Sequence, residues 1–211
     1  MDWKRQIYDK VIAGDADGVS TLTSQALEAG EVPEELLNNA LIAAMAEVGD
    51  RFEKREFFVP EMLIAARAMK AGVAVLKPLL GQEAVGAAGK VVIGTVAGDL
   101  HDIGKNLVIM MLEGAGFQVI DLGVDVSPDA FVQAVRDHSP HLVGMSALLT
   151  TTMMSMKSTI EAIEEAGLRD SVKVMIGGAP LTQRFADEIG ADVYGQDANV
   201  AVRKAKGAVQ G

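Results

Sequence analysis

The residues of this chain best suited to chemistry are Asp99-Leu100-His101-Asp102-Ile103-Gly104. They follow the apolar run Val91 to Val96 and precede a helical pattern, which places His101 on the exposed lip of a sheet. A carboxylate two residues before an imidazole accepts the proton of one ring nitrogen and leaves the other free to bind a metal. The same histidine could instead cap the next helix, and a lone D-x-H-x-x-G does not choose between these roles. Other apolar runs end in Ser146-Ala147-Leu148-Leu149-Thr150, Gly177-Gly178-Ala179 and Gly195-Gln196-Asp197-Ala198. Taken singly, the serine reads as a helix cap and the glycine pair as a strand-end turn.

Composition narrows the chemistry. The chain has 211 residues, 49% of them apolar and 23% charged, enough for one large domain or two modest ones. With 29 acidic against 19 basic residues its net charge is -10, which repels phosphate backbones and anionic lipids, so neither nucleic acid nor a membrane surface is expected as a partner. Cysteine is absent, which removes disulfides, thiolate nucleophiles and thiolate metal sites. Any metal must be held by nitrogen or oxygen, or arrive inside a cofactor. The three histidines are 101, 138 and 141, and the last two flank Pro140 at a strand start, where they are expected to face solvent. The amino terminus is too polar for a signal peptide, and no apolar stretch reaches the ~20 residues of a spanning helix, so a cytoplasmic location is expected.

The elements that must position these residues change character along the chain. Up to about Leu80 the apolar residues recur at helical spacing and suggest four helices: Trp3 to about Ala13, a second capped by Asp15 and ending near Gly30, Glu34 to about Phe52, and Glu61 to Leu80. Pro33 and Pro60 are placed as first-turn prolines. The third helix is expected to bury Leu36, Ala40, Ile42, Ala43 and Met45, and the fourth Leu63, Ala66, Met69, Val73 and Leu76. Residues 1–80 are thus read as a helical bundle and the small, glycine-rich residues 81–89 as a linker. Residues 90–211 alternate short β-rich runs with helical ones. Strands near Val91–Val96, Gln118–Leu122, Leu142–Ser146, Lys173–Ile176 and Asp192–Tyr194 alternate with helices starting near Lys105, Pro128, Met153, Leu181 and Ala198. The fold class is therefore α/β: an N-terminal helical bundle followed by a flavodoxin-like (Rossmann-type) five-stranded parallel sheet. In such a sheet the loops after the first and third strands share a site at the carboxyl edge, where strand order reverses. Neither a Walker loop nor G-x-G-x-x-G follows the first strand, so a nucleotide site lacks its signature.

The ordered set D-x-H-x-x-G, S-x-L and G-G resembles the base-off, His-on cobalamin-binding domain. The bundle resembles the cap module that accompanies it in methionine synthase and in the corrinoid proteins of methyltransferase systems. The likeness covers nearly the whole chain, with no departure at Asp99, His101, Gly104, Ser146, Leu148, Gly177 or Gly178. It implies cobalamin or a related corrinoid as cofactor, carried as methylcobalamin, with His101 as the lower axial ligand of cobalt. It also implies that Asp99 accepts the other imidazole N–H and that Ser146 hydrogen-bonds Asp99. Gly104, Gly177 and Gly178 would leave room for the nucleotide tail; Gly98, Leu100, Asp102, Ile103, Leu148, Thr150 and Ala198 complete the cofactor-binding set. Phe58 and Met62, in Phe57-Phe58-Val59-Pro60-Glu61-Met62, would reach the upper cobalt face from the cap, although both fit equally well in a bundle core.

The function implied is that of a methyl carrier rather than a stand-alone enzyme. It would accept a methyl group on cobalt(I) from a substrate-specific methyltransferase and donate it to a second methyltransferase acting on tetrahydrofolate or a thiol, with a reductive activase as a further partner. The alternatives are the small cobalamin-binding subunit of an adenosylcobalamin-dependent mutase, which would not bring this cap, and a cobalamin-responsive regulator, which the acidic balance disfavours.

Overall fold

The computed structural model describes residues 2–80 and 88–210. These fall into two compact units, Met1–Ala87 with Glu113–Gly116, and Ala88–Leu112 with Phe117–Gly211. Of the expected linker only Ala88 and Gly89 lie among the described residues.

The first unit is helical, and its punctuation follows its caps. Asp2 accepts the N–H of Arg5 at the start of α1 (Trp3–Ile12), and Asp15 accepts that of Gly18 at the start of α2 (Ala16–Glu28). Pro33 opens α3 (Pro33–Leu36), which runs through a π-helical stretch, Leu37–Ile42, into α4 (Ala43–Glu53). Pro60 stands in the first turn of α5 (Val59–Leu76), where Glu61 turns back to accept the N–H of Phe58 at 2.9 Å. Ile7, Val11, Val19, Leu36, Leu41 and Leu76 are fully buried. Gly72 lets α5 approach α2 closely, since a Cβ there would lie 2.9 Å from both Val19 Cγ1 and Leu41 Cδ2.

Two expected helix faces are rotated. The π-helical stretch lengthens the period to a little over four residues, so Leu37, Leu41 and Ala44 join Leu36, Ala40, Met45 and Val48 inside, while Ile42 and Ala43 are only half-buried. On α5 the buried face passes through Met62, Ala65, Ala66, Met69, Gly72 and Leu76, and Leu63 is exposed.

The second unit is a five-stranded parallel sheet in the order β2-β1-β3-β4-β5. Its strands are β1 (Lys90–Thr95), β2 (Gln118–Asp121), β3 (Leu142–Ser146), β4 (Lys173–Gly177) and β5 (Val193–Gly195). They alternate with α6 (Ile103–Gly114), α7 (Pro128–His138), α8 (Met153–Glu165), α9 (Gln183–Ile189) and α10 (Ala198–Gln210). Every strand is thus followed by a helix within a few residues of the start expected from periodicity. β1 is buried along almost its whole length, as a central strand covered on both sides must be. One sheet face packs Val92, Val143, Val174 and Ile176 against Phe131, Val135, Met156, Ile160 and Ile163 of α7 and α8.

The pairing register sets the other face. Ile93, Gly144, Met175 and Val193 form one row across β1, β3, β4 and β5, and Thr95, Ser146, Gly177 and Gly195 form the next row on the same face. Small residues thus occupy the carboxyl end of that face, where α6 and α10 begin. The strand order reverses between β1 and β3, which puts the switch point beside this row.

Leu41→Ala should destabilise the helical unit by about 2–5 kcal/mol, because deleting a fully buried side chain leaves a cavity that neighbours refill only in part. Urea unfolding followed by far-UV circular dichroism measures this. A loss below about 1 kcal/mol would contradict the packing described.

Candidate functional site: a histidine ligand beside a glycine-lined cavity

Asp99 lies at the carboxyl end of β1 and is completely buried, while the side chain of His101 is 50% exposed. Asp99 Oδ1 accepts the backbone N–H of His101 at 3.1 Å and lies 2.7 Å from His101 Nδ1. Asp99 Oδ2 accepts the N–H of Leu148 at 2.8 Å, the N–H of Leu149 at 3.2 Å and the hydroxyl of Thr152 at 2.8 Å. Thr152 Oγ1 also stands 2.9 Å from the carbonyl of Leu149, but its single proton favours the charged acceptor. Burial alone would raise the Asp99 pKa. The N–H of Leu148, the His101 ring, the N–H of His101 and the Thr152 hydroxyl together outweigh it and hold the carboxyl well below the usual carboxylate range.

An ionised carboxylate can only accept, so His101 Nδ1 carries a proton, and in the neutral ring the lone pair is then on Nε2. A ligating histidine needs this tautomer. The main chain is fixed as well, since the hydroxyl of Thr95, itself buried, donates to the carbonyl of His101 at 2.9 Å.

One expectation is corrected here. The hydroxyl on Asp99 comes from Thr152, at the start of α8, and not from Ser146. Ser146 closes β3, pairing with Thr95 and Gly177, and its carbonyl accepts the N–H of Val96 at 3.0 Å. It therefore belongs to the floor of the neighbouring cavity. Thr152 is the third of three consecutive threonines, and its place immediately before a helix is the signal the residues offer.

The cavity, of about 640 Å³, opens beside His101. Leu100, His101, Asp102, Ile103, Gly104, Ser146, Leu148, Gly177, Gly178 and Ala198 line it, as do Ile93, Lys105, Gly144, Met175, Gln196, Asp197 and Ala201. Thr150 is exposed in the turn before α8 and Gly98 forms a turn with φ +83°; neither lines the cavity. Glycine is required at 178, where φ is +144° and a Cβ would stand 1.8 Å from the carbonyl oxygen of Ala147. A Cβ at Gly104 would meet nothing within 4 Å and would project into open space. In the helical unit Phe58 is 61% exposed, whereas Met62 is 2% exposed and belongs to the interior. His141 is exposed as expected, and its Nδ1 accepts the N–H of Lys90 at the start of β1 at 3.0 Å.

Around the imidazole the surface is apolar: Leu100, Ile103 and Leu148 are all exposed, Ile103 by 85%. Such clustering at a rim marks a binding surface. Among the described residues no group of three or more histidine or acidic side chains could hold a bare metal ion. The structure instead brings together one half-exposed imidazole held by a buried carboxylate, an apolar rim and an adjoining cavity with small residues on its floor. They define the class, a flavodoxin-like parallel-sheet domain with a half-exposed histidine beside a cavity at its switch point.

Comparison with known proteins makes the class specific. Two family models match, both described as B12 binding domain, one over residues 89–203 and one over residues 3–77. The dimethylamine corrinoid protein of Methanosarcina barkeri is 47% identical, the match covering 96% of this chain and 95% of that one. Trimethylamine corrinoid protein 2 of Methanosarcina mazei is 46% identical over 93% of this chain and 91% of its own. The crystal structure of the methanol:cobalamin methyltransferase complex from Methanosarcina barkeri superposes with a TM-score of 0.92 at 31% identity, covering 100% of this chain and 80% of that one. The chain belongs to the B12-binding corrinoid protein family, and its cofactor is cobalamin or a related corrinoid. No helix among the described residues is long and apolar enough to cross a membrane.

The buried carboxylate gives the apoprotein an acid signature. Because the folded pKa of Asp99 lies below its ordinary value of 3.8, its contribution to stability is complete above that value and is lost as pH falls below it. Urea unfolding midpoints between about pH 5 and pH 3 should therefore fall less steeply for Asp99→Asn than for the wild type. Parallel slopes would contradict the hydrogen-bonded carboxylate described.

Proposed function

We propose that this chain is the corrinoid-carrying component of a methyl-transfer system. It accepts a methyl group from a substrate-specific methyltransferase and gives it to a second methyltransferase acting on tetrahydrofolate or a thiol. The observation that carries this reading is the His101 ring, with Nδ1–H on the buried Asp99 carboxylate and Nε2 free beside the glycine-lined cavity. The corrinoid, when bound, supplies a cobalt centre able to take up and release a methyl group. The protein supplies the ligand, its orientation and the surroundings. His101 presents Nε2; Asp99 and Thr152 keep the proton on Nδ1 and so hold the ring's tautomer and direction. Gly177, Gly178 and Gly195, with Ser146, form the slot for the tail, and Leu100, Ile103 and Leu148 form an apolar seat.

The upstream donor we favour is a methylated amine, because relatives that match nearly the whole chain are named for dimethylamine and trimethylamine. The likeness to the solved methanol:cobalamin methyltransferase complex, which extends over the whole of this chain, supports a substrate-specific methyltransferase as partner. A reductive activase would restore cofactor that has been oxidised. We assign the helical unit the role of shield for the group being carried; on it Phe58 is exposed, whereas Met62 is buried in its interior. A carrier with this shield needs no substrate pocket of its own. The mutase-subunit reading loses its support, since the whole-chain relatives, helical part included, are corrinoid proteins.

Two substitutions test the reading on purified protein. His101→Ala should still take up hydroxocobalamin through the cavity, but the reduced, cobalt(II) form should show no imidazole nitrogen in its electron paramagnetic resonance spectrum. Asp99→Asn should weaken corrinoid binding about 10–100-fold, the usual effect of removing a partner that orients a metal ligand. Nitrogen coordination that survives His101→Ala would remove that residue from its assigned role. Methyl transfer from dimethylamine or trimethylamine, in the presence of candidate methyltransferases, identifies the donor by the shift in cofactor absorption.

A further inference from the structure

The end of β2 and the turn after it, residues 121–126, take no part in the cavity, yet this segment grips the His101 loop on both sides. Upstream of the histidine, Asp125 Oδ1 accepts the N–H of Gly98 at 2.7 Å, and the N–H of Asp125 donates to the carbonyl of Asp99 at 3.0 Å. These two bonds form a closed bracket around the Gly98-Asp99 peptide. Downstream, the ammonium of Lys105 is 2% exposed and donates to Asp121 Oδ1 at 2.7 Å and to Asn106 Oδ1 at 2.8 Å. Asp121 Oδ1 also accepts the N–H of Gly123 at 2.9 Å, and the carbonyl of Gly123 accepts the N–H of Thr95 at 3.0 Å. The same segment therefore ties to β1, to the residues before His101 and to those after it.

Asp125 stands out within the segment because its φ is +54°. Few residues other than glycine adopt this conformation, and aspartate and asparagine tolerate it best. Backbone held there persists where the surroundings over-determine it, and such positions concentrate at functional sites. Here the surroundings are the bracket. In the left-handed conformation one residue presents both its amide and its carboxylate to the Gly98-Asp99 backbone.

We propose that Asp125 is a positioning residue for the metal-ligating imidazole, acting through the backbone of Gly98 and Asp99. The inference rests on the reading of His101 as the cobalt ligand. Asp99 can aim the His101 ring only as well as its own main chain is placed, and its side-chain bonds to Leu148, Leu149 and Thr152 fix only the carboxylate end. The bracket, together with the Asp99 N–H donating to the Val96 carbonyl at 3.1 Å, fixes the other end. Without the Asp125 carboxylate the Gly98 amide loses its partner, and the turn that carries Asp99 loosens enough to carry His101 Nε2 away from the direction the site requires.

Two variants separate this role from a general loss of structure. Asp125→Gly removes the carboxylate without adding strain, because glycine adopts a φ of +54° freely. Asp125→Asn keeps an acceptor oxygen and tolerates the same backbone. Full-length protein is loaded with hydroxocobalamin and reduced to the cobalt(II) form, and the ratio of histidine-coordinated to histidine-free cofactor is read from the nitrogen splitting in the electron paramagnetic resonance spectrum. That ratio should fall about three- to tenfold in Asp125→Gly, less than for direct partners of a metal ligand, and stay near wild type in Asp125→Asn. In the apoprotein, hydrogen exchange of the Gly98 amide should quicken about tenfold in Asp125→Gly alone, as expected for a lost hydrogen bond. A wild-type ratio in Asp125→Gly, or an equal fall in both variants, would overturn the role given to Asp125 while leaving His101 as ligand. Wild-type protein without nitrogen splitting would instead overturn the ligand reading and this inference with it.

Discussion

A fully buried carboxylate is the constraint on which the sheet unit depends. Removing a carboxylate from water is costly unless hydrogen bonds replace the lost hydration, and Asp99 has its replacements: three backbone N–H groups, one hydroxyl and one imidazole N–H. Those donors come from two loops far apart in sequence, one after β1 and one after β3, so the two strands must be neighbours and must end at the same level. The order β2-β1-β3-β4-β5 and the pairing of Thr95 with Ser146 satisfy that demand. An ionised Asp99 in turn holds the His101 ring with its Nδ1 proton inward and Nε2 outward. The orientation of the imidazole therefore follows from burial two residues away.

The cavity depends on a different constraint, that of side-chain volume. Across the carboxyl ends of four strands the register lines up Thr95, Ser146, Gly177 and Gly195; the last three line the cavity, and a Cβ at Gly195 would lie 2.7 Å from that of Ala201 in α10. Gly178 shows how little slack exists, with the Ala147 carbonyl standing where its Cβ would be. The protein leaves apolar side chains uncovered on the rim, Ile103 above all, and buries a lysine against Asp121 behind it. An uncovered apolar rim costs stability in an empty protein and fits one that a ligand covers there.

Much of this is legible in the residues. Helix starts are readable where a cap is local, as at Asp15, Pro33 and Pro60, and strands where apolar runs are short and bounded by glycine. The order of D-x-H-x-x-G, S-x-L and G-G points to a corrinoid, and the family matches agree. What is not legible depends on geometry that spacing does not carry. The π-helical stretch Leu37–Ile42 rephases a helix without any proline or glycine to announce it, so regular helical spacing misplaces Ile42 and Ala43 on the inner face. Thr152 reaches Asp99 across 53 positions, and Ser146 is the more conspicuous hydroxyl because it ends a strand. Asp125 is invisible for the same reason: its partner Gly98 is 27 positions away, and nothing local signals a φ of +54°.

The central claim is that one imidazole nitrogen, His101 Nε2, is directed at cobalt by a buried carboxylate. It is tested most directly by electron paramagnetic resonance of the cobalt(II) form of protein made with 15N-labelled histidine and unlabelled corrinoid. The account predicts that the nitrogen splitting of each cobalt line changes from three components to two on labelling, because the coordinating nitrogen then belongs to the protein. A spectrum that keeps three components, or that shows no nitrogen at all, would contradict it.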